Sequence, residues 1–265
     1  MRLKQISVIL MAAMLAACSS NSSEVLPTEK VTVEKTVNLT GEKNTPQCHV
    51  LLELLQVKED KKQKKDSLSI AQRANMAIME KVFGWETADV KAAADSFATL
   101  YTRDYVKNMA PLYREDRNDE QKHAWYEYRY VVTTEVRAGR QETTCYLISL
   151  DYYEGGAHGI QQLLTLNIDN RTGATVTLTD LLVPGYEGRL TELLLTALLE
   201  KTGAKDIEAL HERGYLYSMD MFASENFIVG TDGLTFVYNP YELAPYSEGR
   251  IELTVSYDDM DQILK

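Results

Sequence analysis

Apolar and polar residues alternate with a period of two along several stretches of the chain. The clearest alternation covers residues 48–56, 126–132 and 146–152. Because side chains of a β-strand point to opposite faces in turn, each stretch predicts a strand. Gly139 lies between the second and third stretches. It predicts a hairpin turn, so we expect those two strands to pair antiparallel.

A spacing of three and four residues replaces the alternation in three other stretches. It covers residues 69–83, 87–111 and 189–201. This spacing collects the apolar side chains on one face of an α-helix. Gly84 and Gly203 follow the first and third stretches, and glycine is common just beyond a last helical turn. We therefore predict three helices, the second beginning at the N-cap Thr87 and broken near Pro111.

Shorter strands are predicted in the second half of the chain. They cover residues 162–168, a fourth strand containing Val176 and Leu178, a hairpin over 227–238 and a last strand at 251–257. Helices and strands that do not alternate as βαβ units predict an α+β fold, with helices packed on one face of an antiparallel sheet. We expect one domain or two small subdomains, divided as residues 46–140 and 141–265.

Composition and charge limit the classes of partner. The chain has 265 residues, of which 45% are hydrophobic, so it is long and apolar enough to bury a core. It carries 39 acidic and 28 basic residues, a formal net charge of −11. Such a surface repels a phosphate backbone, so we expect no nucleic-acid partner.

The N-terminus resembles a bacterial lipoprotein signal peptide at residues 1–17. A basic start is followed by an apolar run over residues 6–17, with Leu-Ala-Ala directly before Cys18. At 12 residues the run is too short to span a hydrocarbon layer of about 30 Å. The resemblance implies cleavage before Cys18 and acylation of its thiol and amine, which would attach the protein to a membrane through its N-terminal lipid.

Residues 18–45 are rich in Ser, Thr, Glu and Lys and contain no aromatic residue. Such a segment buries little apolar surface, so we predict a flexible tether. Ser19 follows Cys18, a pattern that resembles outer-membrane lipoproteins of diderm bacteria. The expected location is therefore the cell envelope, facing the periplasm or the surface.

Two cysteines remain after lipidation of the first. Cys48 and Cys145 form an even pair in an oxidising compartment, and both lie on predicted strands. We predict that they form a disulfide. Two buried free thiols are the alternative.

Two loops are the candidate ligand sites. The first, residues 152–159, contains three glycines, and we select Tyr153, Gly155, Gly156 and His158. The second, residues 238–246, is an aromatic loop stiffened by two prolines. From it we select Asn239, Pro240, Tyr241 and Tyr246. A structural role, as a bulge in the first loop and as core plugging in the second, is the alternative.

Standard catalytic and cofactor motifs are absent. The four histidines are nowhere spaced three or four residues apart, and no nucleophile elbow or phosphate loop is present. We therefore expect no metal, no cofactor and no catalytic residue.

Several motifs occur in the order found in one known family. They cover residues 153–158, 166–169 with 172–173, 178–182, 231–234, and 238–246 with Gly249. This series resembles the extracytoplasmic domain of the anti-sigma factor RsiV, which also accompanies the catalytic domain of the peptidoglycan deacetylase PdaC. The resemblance covers about residues 145–260, and residues 48–136 are more weakly similar to the usual N-terminal companion domain.

The resemblance implies a binding activity, because the exported region of RsiV binds lysozyme. The anti-sigma segment and the deacetylase domain are both missing, so neither activity is carried over. We expect a non-catalytic envelope module for a basic protein such as lysozyme or for a cell-wall glycan. The alternatives are a peptidoglycan hydrolase or deacetylase accessory, using Asp151 or Glu154 near His158, and a structural lipoprotein.

Overall fold

In the part of the chain that the structure describes, two β-sheets, each antiparallel in most of its pairings, carry five helices. The computed structural model describes residues 25–59, 68–217 and 219–265. The strands are β1 (Thr28–Asn38), β2 (Gln47–Val57), β3 (Tyr128–Ala138), β4 (Thr143–Glu154), β5 (Ile160–Asp169), β6 (Phe227–Val229), β7 (Gly233–Tyr238) and β8 (Ile251–Ser256). The helices are α1 (Ile70–Phe83), α2 (Val90–Asp116), α3 (Leu178–Leu181), α4 (Glu187–Thr202) and α5 (Ile207–Glu212). Short 3₁₀ helices cover Glu120–Tyr126 and Tyr246–Glu248.

The first sheet has five strands in the order of the chain, β1-β2-β3-β4-β5. Neighbours pair antiparallel except β2 and β3, which run parallel. A parallel pair needs a long crossover, and α1 and α2 form it. The second sheet has three strands, β6-β7-β8, all antiparallel.

Each sheet has its own hydrophobic core. The first core joins buried residues of β1 to β5 with those of α1 and α2. The second joins α3, α4 and α5 with β6, β7 and β8, and includes Cys145 from β4. The predicted α+β class is confirmed. The expected boundary at residue 140 falls inside the β3-β4 hairpin, and the division into two subdomains stays a prediction.

Local signals explain where α1 begins and ends. The Ser69 side chain accepts a hydrogen bond from the backbone N–H of Gln72, whose side chain accepts one from the backbone of Ser69. This capping box satisfies two N–H groups that have no partner within the helix. Gly84 ends the helix at φ 71°, a left-handed conformation that costs glycine little. The prediction for this helix is confirmed.

The predicted end of α2 near Pro111 is wrong. The helix continues through Pro111 to Asp116 and has 27 residues. It begins after Asp89 rather than Thr87, because the Asp89 side chain accepts from the N–H of Ala92. Proline removes one hydrogen bond from a helix interior, and burial of Ala110 and Tyr113 on either side of it holds the last turn in place.

The predicted flexible tether is wrong over Thr28–Asn38, which form β1. All eleven residues pair with β2. Val31 and Val33 are buried in the first core, and Leu26 just before the strand is buried as well. Alternating threonines and valines favour a strand, and β2 supplies the hydrogen-bonding partner that the isolated segment lacks.

The predicted fourth strand near Val176 and Leu178 is also wrong. Thr175 makes one isolated bridge to Ile168, and the chain then enters α3. A reciprocal cap between Thr177 and Asp180 starts this short helix. The cap decides against the strand, since it satisfies the backbone locally.

The predicted disulfide is wrong, because Cys48 and Cys145 are free, buried thiols. Cys48 lies opposite Tyr128 on β3, and Cys145 lies opposite Arg137 on the same strand. Nine residues of a strand span about 30 Å, far beyond the roughly 7 Å that a disulfide can bridge. Each thiol belongs to a different core.

Two predictions concern residues outside those that the structure describes. They are the signal peptide at 1–17 and lipidation at Cys18. Across the described ranges, no helix is long and apolar enough to cross a membrane.

Candidate functional site

The glycine-rich loop between β4 and β5 is held against the backbone of Trp125. Gly155 has φ +82°, and a Cβ added there would lie 2.5 Å from the Trp125 carbonyl oxygen. Only glycine fits this close approach. Tyr153 braces the loop, since its hydroxyl donates to the Gly156 carbonyl at 2.9 Å. The glycines and Tyr153 thus shape the loop.

His158 lies at the exposed end of this loop. Its Nδ1 donates to the Gly159 carbonyl at 2.9 Å. Its ring stacks on Tyr246, with centroids 4.2 Å apart and planes inclined by 25°. The Tyr246 hydroxyl donates to the same Gly159 carbonyl at 3.0 Å. One carbonyl therefore fixes both rings.

The second predicted loop is anchored by Asn239. This side chain is buried, accepts from the N–H of Leu163 at 2.8 Å and donates to the Leu163 carbonyl. The Asn239 backbone N–H donates to Glu242 at 2.8 Å. Asn239 is therefore committed to the fold, contrary to its predicted role as a ligand contact. Pro240 follows it on the partly buried side of the turn.

Tyr241 is the exposed residue of that loop. Its backbone has φ 74°, a left-handed conformation that is uncommon for a bulky side chain. Hydrogen bonds from Tyr241 N–H to the Ala244 carbonyl and from Glu242 N–H to the Asn239 carbonyl maintain it. The side chain is 65% exposed and its ring lies 5.6 Å from that of Tyr246. Such strain is typical of positions whose orientation has a function.

The structure thus brings the two predicted loops together. His158, Tyr246 and Tyr241 form a continuous row of rings, which we call the aromatic platform. His158 comes from the segment before β5 and the tyrosines from the segment after β7. Their sequence separation gives no sign of this contact.

Two concave surfaces border the aromatic platform. A polar cleft of about 410 Å³ is lined by His49, Glu127, Arg129, Tyr153 and Gly159, among others. An apolar cleft of about 420 Å³ lies on the other side. Residues that line the apolar cleft include Tyr217, Met219, Tyr241 and Pro245.

Sequence reasoning missed Tyr217 and Met219. Tyr217 is 81% exposed and Met219 is 42% exposed. They follow α5, a short helix that was not predicted. The cluster of aromatic residues and methionines that follows α5 is the one signal that could have indicated them.

The carboxylates of the hydrolase alternative do not contact His158. Glu154 accepts a hydrogen bond from the Tyr101 hydroxyl at 2.6 Å, and burial together with that carboxylate raises the pKa of Tyr101. Asp151 pairs with Arg129 at 2.7 Å. Among the described contacts, neither of these two carboxylates pairs with His158 as a general acid–base pair would require.

A third cavity of about 510 Å³ lies between the two cores. Its walls include Glu80 and Lys81 of α1 and Asn167 of β5. Tyr186 and Glu225, from the part of the chain that follows β5, complete the walls on the other side. Asn167 is fully engaged there, since it bonds to Phe227 and Val229. Over the described residues, no group of three or more His, Cys, Asp or Glu side chains could hold a metal ion.

The fold and these surfaces define an α+β protein with two sheets and a pair of exposed loops that meet. Residues 179–258 match the family model described as a protein of unknown function, DUF3298. The chain therefore carries a DUF3298 domain, which corresponds to the second core and includes Tyr241 and Tyr246 but not His158. No curated protein matches the chain.

Two solved structures are similar over nearly the whole chain. A member of the DUF3298 family from Bacteroides fragilis is 26% identical, with a TM-score of 0.82 over 92% of this chain and 96% of that one. A DUF3298 family protein from Pseudomonas aeruginosa is 21% identical, with a TM-score of 0.61 over 92% of this chain and 97% of that one. Both sheets therefore recur in DUF3298 proteins.

Proposed function

We propose that this protein is a non-catalytic recognition module that binds a cationic protein through the aromatic platform. The observation that supports this most directly is Tyr241, which is 65% exposed at a positive φ. A turn closed by the Glu242 N–H and the Asn239 carbonyl holds this exposed ring in place. It provides a rigid contact surface that loses little entropy on binding.

Charge favours a basic partner over a neutral one. Glu127 lines the polar cleft, Glu242 follows Tyr241, and Glu248 lies two residues after Tyr246. Exposed tyrosine faces attract arginine and lysine side chains by cation–π contacts. The net charge of −11 adds long-range attraction, which accelerates encounter at low salt.

The partner we propose is a lysozyme, and the site of action is the cell envelope. The support is the resemblance of residues 145–260 to the RsiV extracytoplasmic domain. In this proposal Cys18 carries the lipid, which holds the protein on the outer membrane of a diderm bacterium.

The test is calorimetric titration of the purified chain with lysozyme at low and high salt. We expect binding that weakens as salt rises, since salt screens the charges. Tyr241→Ala should weaken binding about tenfold or more, as for a central aromatic contact. No binding at either salt concentration contradicts the proposal.

Leu68→Ala is the matched control. Leu68 is 49% exposed and lies far from the aromatic platform. Its carbonyl accepts a hydrogen bond from Arg73, and Arg73 also donates to the carbonyl of Thr172, which follows the C-terminal end of β5. Gly159 of the polar cleft directly precedes the N-terminal end of β5. The length of the strand therefore separates Gly159 from the Leu68 region by about 30 Å. This variant should bind like the parent.

Peptidoglycan fragments provide a second arm of the titration. Tyrosine faces also stack on sugars, so binding of fragments that depends on Tyr241, without binding of lysozyme, would replace the protein ligand by a glycan. Release of cleaved or deacetylated fragments would contradict the non-catalytic assignment.

A further inference from the structure

The strand β1 forms a free edge of the first sheet. It pairs with β2 on one side, and no other strand of the described residues pairs with it. At eleven residues it is long for an edge strand. An edge of this length presents a row of unpaired backbone N–H and C=O groups, which is a template for another strand.

The sequence of β1 is complementary to itself. If two copies of β1 pair antiparallel with Thr32 opposite Thr32, then Glu29 lies opposite Lys35 and Lys30 opposite Glu34. Val31 then lies opposite Val33. All four charged residues of the strand thus meet the opposite charge, and opposite charges across a strand pair are stabilising.

Other registers fail this test. Only registers that keep the buried valines of both copies on the same side of the joined sheet continue the core face. Shifting the pairing in steps of two residues places Lys30 opposite Lys30, Glu34 opposite Glu34, or the charged residues opposite threonine and valine. The register centred on Thr32 is the one that pairs every charge.

Lys30 and Glu34 remain accessible although each already has a contact, whereas Lys35 is partly buried and donates to Thr99 of α2. Lys30 pairs with Glu53, and its side chain is still 53% exposed. Glu34 contacts His49 with its side chain 64% exposed. Lysines on an edge strand usually prevent edge-to-edge pairing. Here the opposing glutamates would convert that repulsion into attraction.

We infer that β1 is the interface for a second copy of this chain, joining two five-stranded sheets into one of ten strands. A single strand pair buries less area than standard protein interfaces, so the dimer should be weak, with a dissociation constant in roughly the micromolar range. The two-fold axis passes between the two copies of Thr32 and keeps α1 and α2 of both copies on one face.

A charge-exchange experiment tests this inference on the full chain by sedimentation velocity. The first variant, Lys30→Glu with Lys35→Glu, makes the strand wholly acidic. The second, Glu29→Lys with Glu34→Lys, makes it wholly basic. Each variant alone should dimerise about tenfold or more weakly than the parent, because like charges face each other. An equimolar mixture should restore dimers.

The mixture separates a lost interface from a lost fold, since misfolded chains would not recover on mixing. A parent that stays monomeric at high concentration, or a mixture that stays monomeric, overturns the inference. Dimers that persist in both single variants overturn it as well, because association would then use another surface.

Oxidative cross-linking tests the register. Thr32→Cys should form a covalent dimer readily, because residue 32 faces its own copy. Thr36→Cys is the control, since it faces Thr28 and should cross-link about tenfold more slowly or less. Equal rates for the two variants would overturn the proposed register.

Discussion

The two edges of the first sheet are completed in different ways. At the β5 edge, buried asparagine side chains take the place of a neighbouring strand. Asn226 accepts from Thr165 N–H at 2.7 Å and donates to the Leu163 carbonyl at 2.8 Å, and Asn239 accepts from Leu163 N–H. At the β1 edge, the exposed residues include the charged Glu29, Lys30 and Glu34, while Val31 and Val33 are buried.

We call the β5 edge closed, because side chains of the same chain occupy its backbone groups, and the β1 edge open, because its outer backbone groups remain available to another chain. An asparagine side chain has both a donor and an acceptor, so it can satisfy a strand edge when no strand is present. Those asparagines also connect the two cores. Asn226 and Asn239 are next to Phe227 and Tyr238 of the second core, and β5 contributes residues to the first core. The β1 edge has no such partner among the described residues.

Replacement of an asparagine at the closed edge should have the largest effect on stability. Asn226→Ala leaves the Thr165 N–H without its buried partner and removes one of the two donors to the Leu163 carbonyl, which keeps Asn239. We expect the free energy of unfolding to fall by about 2–4 kcal/mol, since each unsatisfied buried group costs about 1–3 kcal/mol. Urea denaturation measures it.

Asn108→Ala is the control for this substitution. Asn108 is exposed on α2, so its replacement should change stability by at most about 0.5 kcal/mol. If Asn226→Ala behaved like Asn108→Ala, the asparagine would not be what closes the β5 edge.

The rate of thiol alkylation should distinguish Cys145, which contacts β6 beside the closed edge, from Cys48, which does not. We expect a change in rate that is smaller, in free-energy terms, than the loss of stability predicted above. Burial raises the pKa of the Cys48 thiol to about 12 and that of Cys145 to about 11. Since the thiolate is the reactive form, neither residue should react in the native protein at pH 8. The Cys145 thiol donates to Val229 of β6, so opening of the closed edge exposes it.

In Asn226→Ala we therefore expect alkylation of Cys145 about tenfold faster than in the parent, with Cys48 unchanged. Peptide mapping by mass spectrometry gives both rates. Equal acceleration at Cys48 would indicate global unfolding instead of opening at the junction.

The same pKa shifts give a sign for the pH dependence of stability. A thiol pKa that is higher in the folded state than the ordinary value of about 8.5 stabilises the fold fully below that value. The contribution is lost as the pH rises toward about 11 and 12, the folded values for Cys145 and Cys48.

A substitution at the open edge should change the stability of the monomer least. Lys30→Ala removes the contact with Glu53, whose side chain is 32% exposed. We expect the monomer to lose less than about 0.5 kcal/mol, because exposed ion pairs contribute little. Urea denaturation at a concentration that keeps the chain monomeric is the measurement, and a loss above about 1 kcal/mol would mean that the edge is part of the folding core.

Local signals made much of the fold predictable. The helix α1 followed from its apolar spacing and from Gly84, and the β3-β4 hairpin followed from alternation around Gly139. Residues 152–159 and 238–246 were selected for their unusual composition, and each contributes a ring to the aromatic platform. Signals of this kind act within a few residues, so the sequence contains them in full.

The errors have a common physical cause. β1 was read as a tether because its few apolar residues become significant only beside β2 and α2. Asn239 was read as a ligand contact because nothing near it in the chain reveals Leu163 as its partner. The disulfide was expected because alternation shows that Cys48 and Cys145 lie on strands but not how far apart they are.

The amino-acid sequence by itself determined the α+β class, most of the helices and strands, the acidic surface and the identity of the two unusual loops. Tertiary structure decided which strand lies at each edge, which polar residues are buried, and that His158 and Tyr246 stack. Hydrophobic periodicity and capping depend on neighbours within one or two turns. The asparagine bonds at the β5 edge and the stacking of His158 on Tyr246 join residues more than 60 positions apart, whose contact exists only after the chain has folded.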